Sequence, residues 1–377
     1  MKKILFAIIV MLTFSSACRA VHTLPVEGVW VKPSNPLIQY IGRINDSNPD
    51  QPTFNWPGIE IRARFQGTSL RMVAKPKSGY FMCSIDNATP FKVSFNSERD
   101  SVVQLATALS QGEHSVRLMY TIEGLDHHAI FRGFVLDKGC KLVTPDPLPK
   151  RKIEFIGNSI TCGYGVEDTL GDDHYLDETE NHWLSYATLT SDALGAQHFS
   201  ISRSGIGAYR NYGGPATGSP DAMPQMYDLT LFHDSTQLWN FKRWTPDVVC
   251  INLGTNDFSV PAYDAALYEK SYLGLVRHVR NCYPQAFIVL MSGPMLPEKT
   301  NAIVKKTLDN IKKTLTKKDD KRIFRFDFTP QDGSLGYGAD YHPSKAPEDG
   351  RGTHEVPERE YLQGLRHKVI LKDDWHF

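Results

Sequence analysis

Residues 144–161 read TPDPLPKRKIEFIGNSIT. The first half is a linker: Pro145, Pro147 and Pro149 favour extended backbone without internal hydrogen bonds, and Lys150, Arg151 and Lys152 follow as a basic cluster. The second half is a strand and a turn. Residues 153–156 are mostly apolar, Gly157 permits a tight bend, and Ser159 lands just beyond the strand's carboxyl end. Gly-x-Ser arises by chance in many loops, so the meaning of this one depends on the sequence to either side.

Upstream the period is two. Ile59, Ile61, Ala63 and Phe65 alternate with other residues, as do Leu70, Met72 and Ala74, then Phe81, Cys83 and Ile85, then Phe91, Val93 and Phe95, then Val116, Leu118, Tyr120 and Ile122. Such alternation marks half-buried antiparallel strands. Asp86-Asn87-Ala88 and Gln111-Gly112 punctuate them and no helical period interrupts them. Residues 21–145 are therefore expected to form an all-β sandwich of jelly-roll type.

Downstream the period changes. Short apolar strands at 153–156, 198–201, 248–253, 287–291 and 323–328 alternate with helical stretches. Tyr268, Tyr272, Leu275, Val276 and Val279 mark one helix face, and Ile303, Thr307, Ile311 and Leu315 another. Residues 146–377 thus read as an α/β domain, a doubly wound parallel sheet with helices on both faces. Functional residues then belong on loops beyond the carboxyl ends of the strands.

At the amino terminus, Lys2 and Lys3 precede an apolar run from Ile4 to Leu12 and the small residues Ser15, Ser16 and Ala17. Residues 1–20 read as an export signal, so the chain is expected in the periplasm, outside the cell, or on the outer membrane as a lipoprotein. Two processing routes stay open: cleavage after Ala20, or a lipid anchor on Cys18. The apolar run falls short of the about 20 residues a spanning helix needs, and no later segment comes close, so no transmembrane segment is expected. Lys and Arg number 42 against 42 Asp and Glu, and loss of Lys2, Lys3 and Arg19 with the leader brings the net charge near −3. Neither nucleic acid nor an anionic membrane is implied as a partner.

Cys83, Cys140, Cys162, Cys250 and Cys282 show no CxxC and no zinc spacing, so no metal site and no disulfide framework is expected. A Cys83–Cys140 pairing competes with small buried thiols. His127 and His128 are adjacent and would point to opposite faces of a strand, which argues against a shared metal.

Four loops beyond predicted strands carry chemistry-bearing residues: Ser159 after the first, Ser204-Gly205-Ile206-Gly207 after the second, Gly254-Thr255-Asn256-Asp257 after the third and Asp340-Tyr341-His342-Pro343 beyond the last. Together they suit acyl transfer without a cofactor. Ser159 is a poor nucleophile until an imidazole, His342, takes its proton, and the same imidazole can then protonate a leaving alcohol. The N–H groups of Ser159 and Gly205 and the side-chain amide of Asn256 are candidate oxyanion donors. Asp340 is placed to orient the imidazole, with a backbone carbonyl as the alternative. Asn256-Asp257 read as a mere turn, Gly205 as a bend and His354 as the base are the competing assignments. The loop 208–240 offers Tyr209, Arg210, Tyr212, Met226, Tyr227 and Trp239, suited to sugar faces and hydroxyls or else to packing on the sheet.

The blocks FIGNSITCGYGVED (155–168), SRSGIGAYRNYGG (202–214), INLGTNDFS (251–259) and GADYHPS (338–344) resemble the four blocks of SGNH (GDSL-type) hydrolases. More narrowly they are similar to the acetyl xylan esterases of carbohydrate esterase family two, and IQYIGRIN (38–45) and FQGTSL (65–70) look like that family's jelly-roll domain. The resemblance implies removal of acetyl groups from xylan, glucomannan or related plant polysaccharides through Ser159, His342 and Asp340, with Gly205 and Asn256 in the oxyanion role. Two positions depart from the pattern, Asn158 where the superfamily usually has Asp and Tyr341 where this family often has Trp, and KAPEDGRGTHEVPERE (345–360) is longer and more charged than the family leads one to expect. Tyr341 joins the expected substrate contacts. Esterases for other O-acetylated glycans, or a carbohydrate-binding protein without activity, are the alternatives.

Overall fold

The computed structural model describes residues 27–98, 102–125, 128–334 and 336–345. The expected export signal, Cys18, His127, His354 and nearly all of the charged carboxyl-terminal stretch lie outside these residues.

The amino-terminal region is built from β1 (Val29–Val31), β2 (Gln39–Ile41), β3 (Thr53–Phe54), β4 (Glu60–Gly67), β5 (Leu70–Ala74), β6 (Tyr80–Ile85), β7 (Phe91–Ser94), β8 (Val102–Ala106), β9 (Gly112–Tyr120), β10 (Ala129–Leu136) and β11 (Leu142–Val143). One sheet runs β1-β10-β5-β8 with β3 on β10, and the other runs β11-β4-β9-β6-β7 with β2 on β4. Every pairing is antiparallel. The two-residue period works as expected: Ile61, Ala63 and Phe65 of β4 and Val116 and Leu118 of β9 are buried in a core shared with Leu70, Met72 and Phe134 of the facing sheet. Between β6 and β7, Asp86 and Asn87 both take left-handed backbone (φ 52° and 59°), the geometry of the two-residue hairpin turn that Asp and Asn favour.

Past the prolines, β12 (Arg151–Gly157), β13 (Ala196–Ser202), β16 (Val248–Asn252), β17 (Phe287–Ser292) and β18 (Ile323–Asp327) form a parallel sheet in the order β13-β12-β16-β17-β18, and a small hairpin, β14 (Leu229–Leu231) with β15 (Asp234–Leu238), lies between β13 and β16 in the chain. The helices are α1 (Ser159–Cys162), α2 (Tyr186–Ala193), α3 (Met223–Met226), α4 (Ala265–Cys282) and α5 (Glu298–Thr316). Asp264 caps α4 by accepting the Ala266 and Leu267 N–H groups. The helix then buries Tyr268, Tyr272, Leu275, Val276 and Val279, the face its 3.6-residue period marks. Burying an aliphatic side chain of that kind contributes about 1.5–3 kcal/mol. The Tyr268 and Tyr272 hydroxyls donate to the carbonyls of Leu253 and Ile251, both at 2.9 Å, and so tie the helix to β16.

The two regions share a polar seam. Arg43 is fully buried, donates to the carbonyls of Tyr227 and Leu229, and lies 3.7 Å from the equally buried Glu154 of β12. The Trp56 indole donates to Thr230 O at 3.0 Å. Removing one partner of a buried ion pair costs about 3–5 kcal/mol, so this seam holds the sandwich firmly against the parallel sheet. The cysteines Cys83, Cys140, Cys162, Cys250 and Cys282 are free thiols. Among the described residues, no helix is long and apolar enough to cross a membrane.

Candidate active site

The chain reverses direction across the sheet between β12 and β16, and the crevice beyond the carboxyl ends of these strands is where doubly wound folds bind ligands. Gly157 ends β12 because nothing larger fits: a Cβ there would lie 1.9 Å from Thr161 Oγ1. Asn158 then caps α1, its side chain accepting the Ile160 N–H at 3.1 Å, and Gly163 closes the helix in left-handed backbone (φ 85°). Ser159 is thereby held at the first position of a single rigid turn, 5% exposed.

His342 reaches it from far along the chain. The loop that carries the histidine is stitched to the segment after α1 by backbone bonds: Ala339 N–H to Gly165 O, Asp340 N–H to Asp173 O and Tyr341 N–H to Gly171 O. His342 Nε2 lies 2.8 Å from Ser159 Oγ, and Nδ1 lies 3.0 Å from the carbonyl of Ala339. A carbonyl only accepts, so Nδ1 carries the proton and Nε2 is free to take the serine's. The Tyr164 ring stacks on the imidazole at 4.2 Å. Burial holds His342 below its ordinary pKa, against the opposing pull of the Ala339 carbonyl and the Asp340 charge, which keeps it neutral at pH 7.

Asp340 does not take the orienting role that its position suggests. Its backbone is left-handed (φ 49°), as is that of Tyr341 (φ 58°), and this twist turns the carboxylate to the Tyr164 hydroxyl at 2.6 Å and to His174 Nδ1 at 2.9 Å. The backbone carbonyl, the alternative, fills the place on Nδ1.

The parallel register sets Gly157 of β12 opposite Ser202 of β13 and Asn252 of β16, so the loops after all three strands start side by side. Gly205 is left-handed (φ 74°), and its carbonyl accepts the Tyr212 N–H at 2.7 Å. Asn256 spends one amide hydrogen on Ile206 O at 2.8 Å and retains the other. Asp257, a residue without an assigned role in the sequence reading, fastens this loop by accepting the N–H groups of Ala208, Tyr209 and Arg210 at 2.7–3.1 Å. Burial pushes its carboxyl up to about 6, against those three bonds.

The expected substrate contacts divide. Tyr212 and Tyr341 are exposed, at 70% and 53%, and Tyr341 donates its hydroxyl to Asp172 at 2.7 Å. Tyr209, Arg210 and Trp239 are buried instead, as are Met226 and Tyr227. Arg210 donates to the carbonyls of Asp257 and Val260, the Tyr209 hydroxyl accepts the Asp264 N–H, and Trp239 packs edge-on against Phe199 in a cluster with Trp244 and Ile41. Their apolar area and backbone-directed bonds make them part of the interior. A surface hollow of about 580 Å³ between the 217–225 loop and α4 is lined by none of Ser159, His342, Gly205 or Asn256.

One candidate metal-ligand set emerges that spacing in the sequence does not reveal: Glu123, Cys162 and Glu180, from three separate segments, each place a ligand atom within 4.8 Å of the others. One oxygen of each carboxylate already accepts protein hydrogen bonds, and burial, ahead of the nearby carboxylates, pushes the Cys162 thiol well up, away from the thiolate that binds metals.

A serine hydroxyl on a neutral imidazole, at the mouth of a parallel sheet and beside loops bearing a glycine N–H and an asparagine amide, defines a serine ester hydrolase of the GDSL type. The GDSL-like Lipase/Acylhydrolase family matches residues 155–346 and Carbohydrate esterase 2 N-terminal matches residues 40–146. The chain belongs to these GDSL-like hydrolases and, within them, to carbohydrate esterase family two. It is 35% identical over 335 residues to the cellulase/esterase CelE of Acetivibrio thermocellus, covering 89% of this chain and 40% of that protein's length. It is 32% identical over 280 residues to an acetylxylan esterase / glucomannan deacetylase of Cellvibrio japonicus, covering 69% of this chain and 75% of the relative. The structure of a family two carbohydrate esterase from Clostridium thermocellum in complex with cellohexaose superposes with a TM-score of 0.79 at 33% identity, covering 88% of this chain and 98% of that one.

Proposed function

We propose that this chain is a carbohydrate O-acetyl esterase that removes acetyl groups from plant polysaccharides such as xylan or glucomannan. The observation that carries the reading is the 2.8 Å bond between Ser159 Oγ and His342 Nε2 in a site whose imidazole is neutral. His342 takes the serine proton as Ser159 attacks the acetyl carbonyl. The Ser159 and Gly205 N–H groups and the Asn256 amide receive the negative oxygen of the tetrahedral intermediate. His342 Nε2 then protonates the departing sugar oxygen, and water, activated by the same imidazole, releases acetate from the acyl-serine.

Support for a polymeric sugar comes from the relatives: the Cellvibrio japonicus protein is named for acetylxylan and glucomannan, and the Clostridium thermocellum structure holds cellohexaose. The exposed rings of Tyr212 and Tyr341 suit the apolar faces of such a chain. A polymer of that size meets the enzyme outside the cell, in keeping with the leader-like residues 1–20. Mass spectrometry of the mature protein separates cleavage after Ala20 from a lipid anchor on Cys18.

The test is acetate release from a panel of acetylated xylan, glucomannan, peptidoglycan and sialic acid by wild type, Ser159→Ala and His342→Ala. Release from the plant polymers by wild type alone is expected. Binding of glycan by wild type with no acetate released, unchanged in Ser159→Ala, would refute the reading.

A further inference from the structure

Glu123 belongs to the sandwich, three residues past the end of β9, yet its carboxylate is buried at the back of the hydrolase site. Its Oε2 accepts the Ser204 N–H at 2.6 Å. Ser204 immediately precedes Gly205, whose own carbonyl accepts the Tyr212 N–H at 2.7 Å. The Gly205 N–H therefore lies between two anchors, one on each side, and a left-handed residue between fixed points has little freedom to turn its amide. The anchor on the Ser204 side is supplied by the other domain.

Glu123 is itself fixed. Its N–H donates to Glu180 Oε2 at 3.2 Å, and Glu180 Oε2 also accepts the Tyr175 hydroxyl at 2.6 Å. The Tyr175 ring packs on Tyr164 at 4.8 Å, and Tyr164 stacks on His342. One buried carboxylate pair thus backs both the Gly205 loop and the imidazole. Burial pushes Glu123 up to about 7, and burial together with the Glu123 charge pushes Glu180 well above the ordinary carboxylate range.

We propose that Glu123 is a positioning residue for ester hydrolysis, a side chain of the β-sandwich that aims the Gly205 N–H at the oxyanion by holding Ser204. This rests on the esterase reading and on Gly205 as an oxyanion donor. It gives the sandwich a part in transition-state stabilisation beyond covering the sheet. A purely structural role for Glu123 would lower thermal stability and leave turnover in the folded molecules unchanged.

The experiment compares full-length wild type, Glu123→Ala, Glu123→Gln and Glu123→Asp on an aryl acetate, with phenylboronic acid as a mimic of the tetrahedral intermediate and Ser159→Ala as the inactive control. Loss of one oxyanion donor typically costs about 10²–10³, so a mis-aimed donor in Glu123→Ala is expected to lower kcat by about 10- to 100-fold. KM should stay within about twofold, and the boronate inhibition constant should rise by the same factor as kcat falls. Glu123→Gln keeps both the acceptor and the shape and restores kcat to within about threefold of wild type. Where Glu123→Ala fails to fold, Glu123→Asp, one methylene short of Ser204, carries the comparison and is expected to lose kcat. Wild-type kcat in folded Glu123→Ala or Glu123→Asp, a loss confined to KM, or a Glu123→Gln as impaired as the alanine variant would each overturn the proposal. Failure of the esterase reading shows separately, as a Ser159→Ala variant that keeps the wild-type rate.

Discussion

Replacing Asp340 by Asn removes its charge while leaving the backbone undisturbed, because Asn tolerates the left-handed φ of 49° and can still meet Tyr164 and His174. Were this carboxylate bonded to Nδ1 of the catalytic imidazole, as in a serine–histidine–aspartate triad, the substitution would cost about 10⁴ in kcat. Here Nδ1 is held by Ala339 O at 3.0 Å, and what remains of Asp340's influence on His342 is its field. Its side chain is 37% exposed, so solvent screens that field. A screened charge of this kind is worth about 1 kcal/mol or less, which corresponds to about fivefold in rate. Asp340→Asn is therefore expected to retain at least about a fifth of wild-type kcat on an aryl acetate. Because the Asp340 charge raises the His342 pKa, its removal should also move the acid limb of the pH profile to lower pH. Steady-state kinetics from pH 4 to 8 read both quantities. A loss near 10⁴ would mean that Asp340 acts on the imidazole directly and would refute the role given to the Ala339 carbonyl, and an acid limb moved upward would contradict the sign of the Asp340 field.

Further outcomes follow from the same geometry. His342 must be neutral to accept a proton, and burial holds its pKa below the ordinary 6.5, so kcat/KM should rise with pH through a midpoint below 6.5 and level off above it; a midpoint above 7 would contradict the site. Asn256→Ala should lower kcat by about 10²–10³ with little change in KM. Because Asn256 also bonds Ile206 O, its melting temperature is measured on the same sample, and unchanged turnover in folded protein would remove it from the oxyanion site. Arg210→Ala strips the buried Asp257 carbonyl and the part-buried Val260 carbonyl of their donor and should cost about 2–4 kcal/mol of stability, read as a fall in denaturation midpoint, with KM unchanged. A raised KM at unchanged stability would instead return Arg210 to the substrate.

Several features were legible along the chain because their cause is local. Alternation at Ile61, Ala63 and Phe65 reports a sheet with one buried face, and the Tyr268–Tyr272–Leu275–Val276–Val279 stripe reports one helix face, whatever else the fold does. The meeting of Ser159 with His342 was legible because each lies beyond a strand, and parallel strands of one sheet bring their carboxyl ends to a common edge, where the loops of Gly205 and Asn256 also begin. Other features depend on how distant segments meet. The turn of two left-handed residues directs Asp340 to Tyr164 and leaves the imidazole to a carbonyl, and no residue type announces that exchange. Tyr209, Arg210 and Trp239 have the chemistry of sugar contacts, but packing against α4, Asp257 and the sandwich seam removes them from solvent. Glu123 is one acid among several in a β-rich stretch, and only docking of the sandwich places it on Ser204. Sequence alone determined the periodic elements and the chain order of the site, because periodicity and strand ends are properties of neighbours. Tertiary structure decided which polar groups face one another, because a hydrogen bond requires two groups within about 3 Å and the chain leaves that distance open until it has folded.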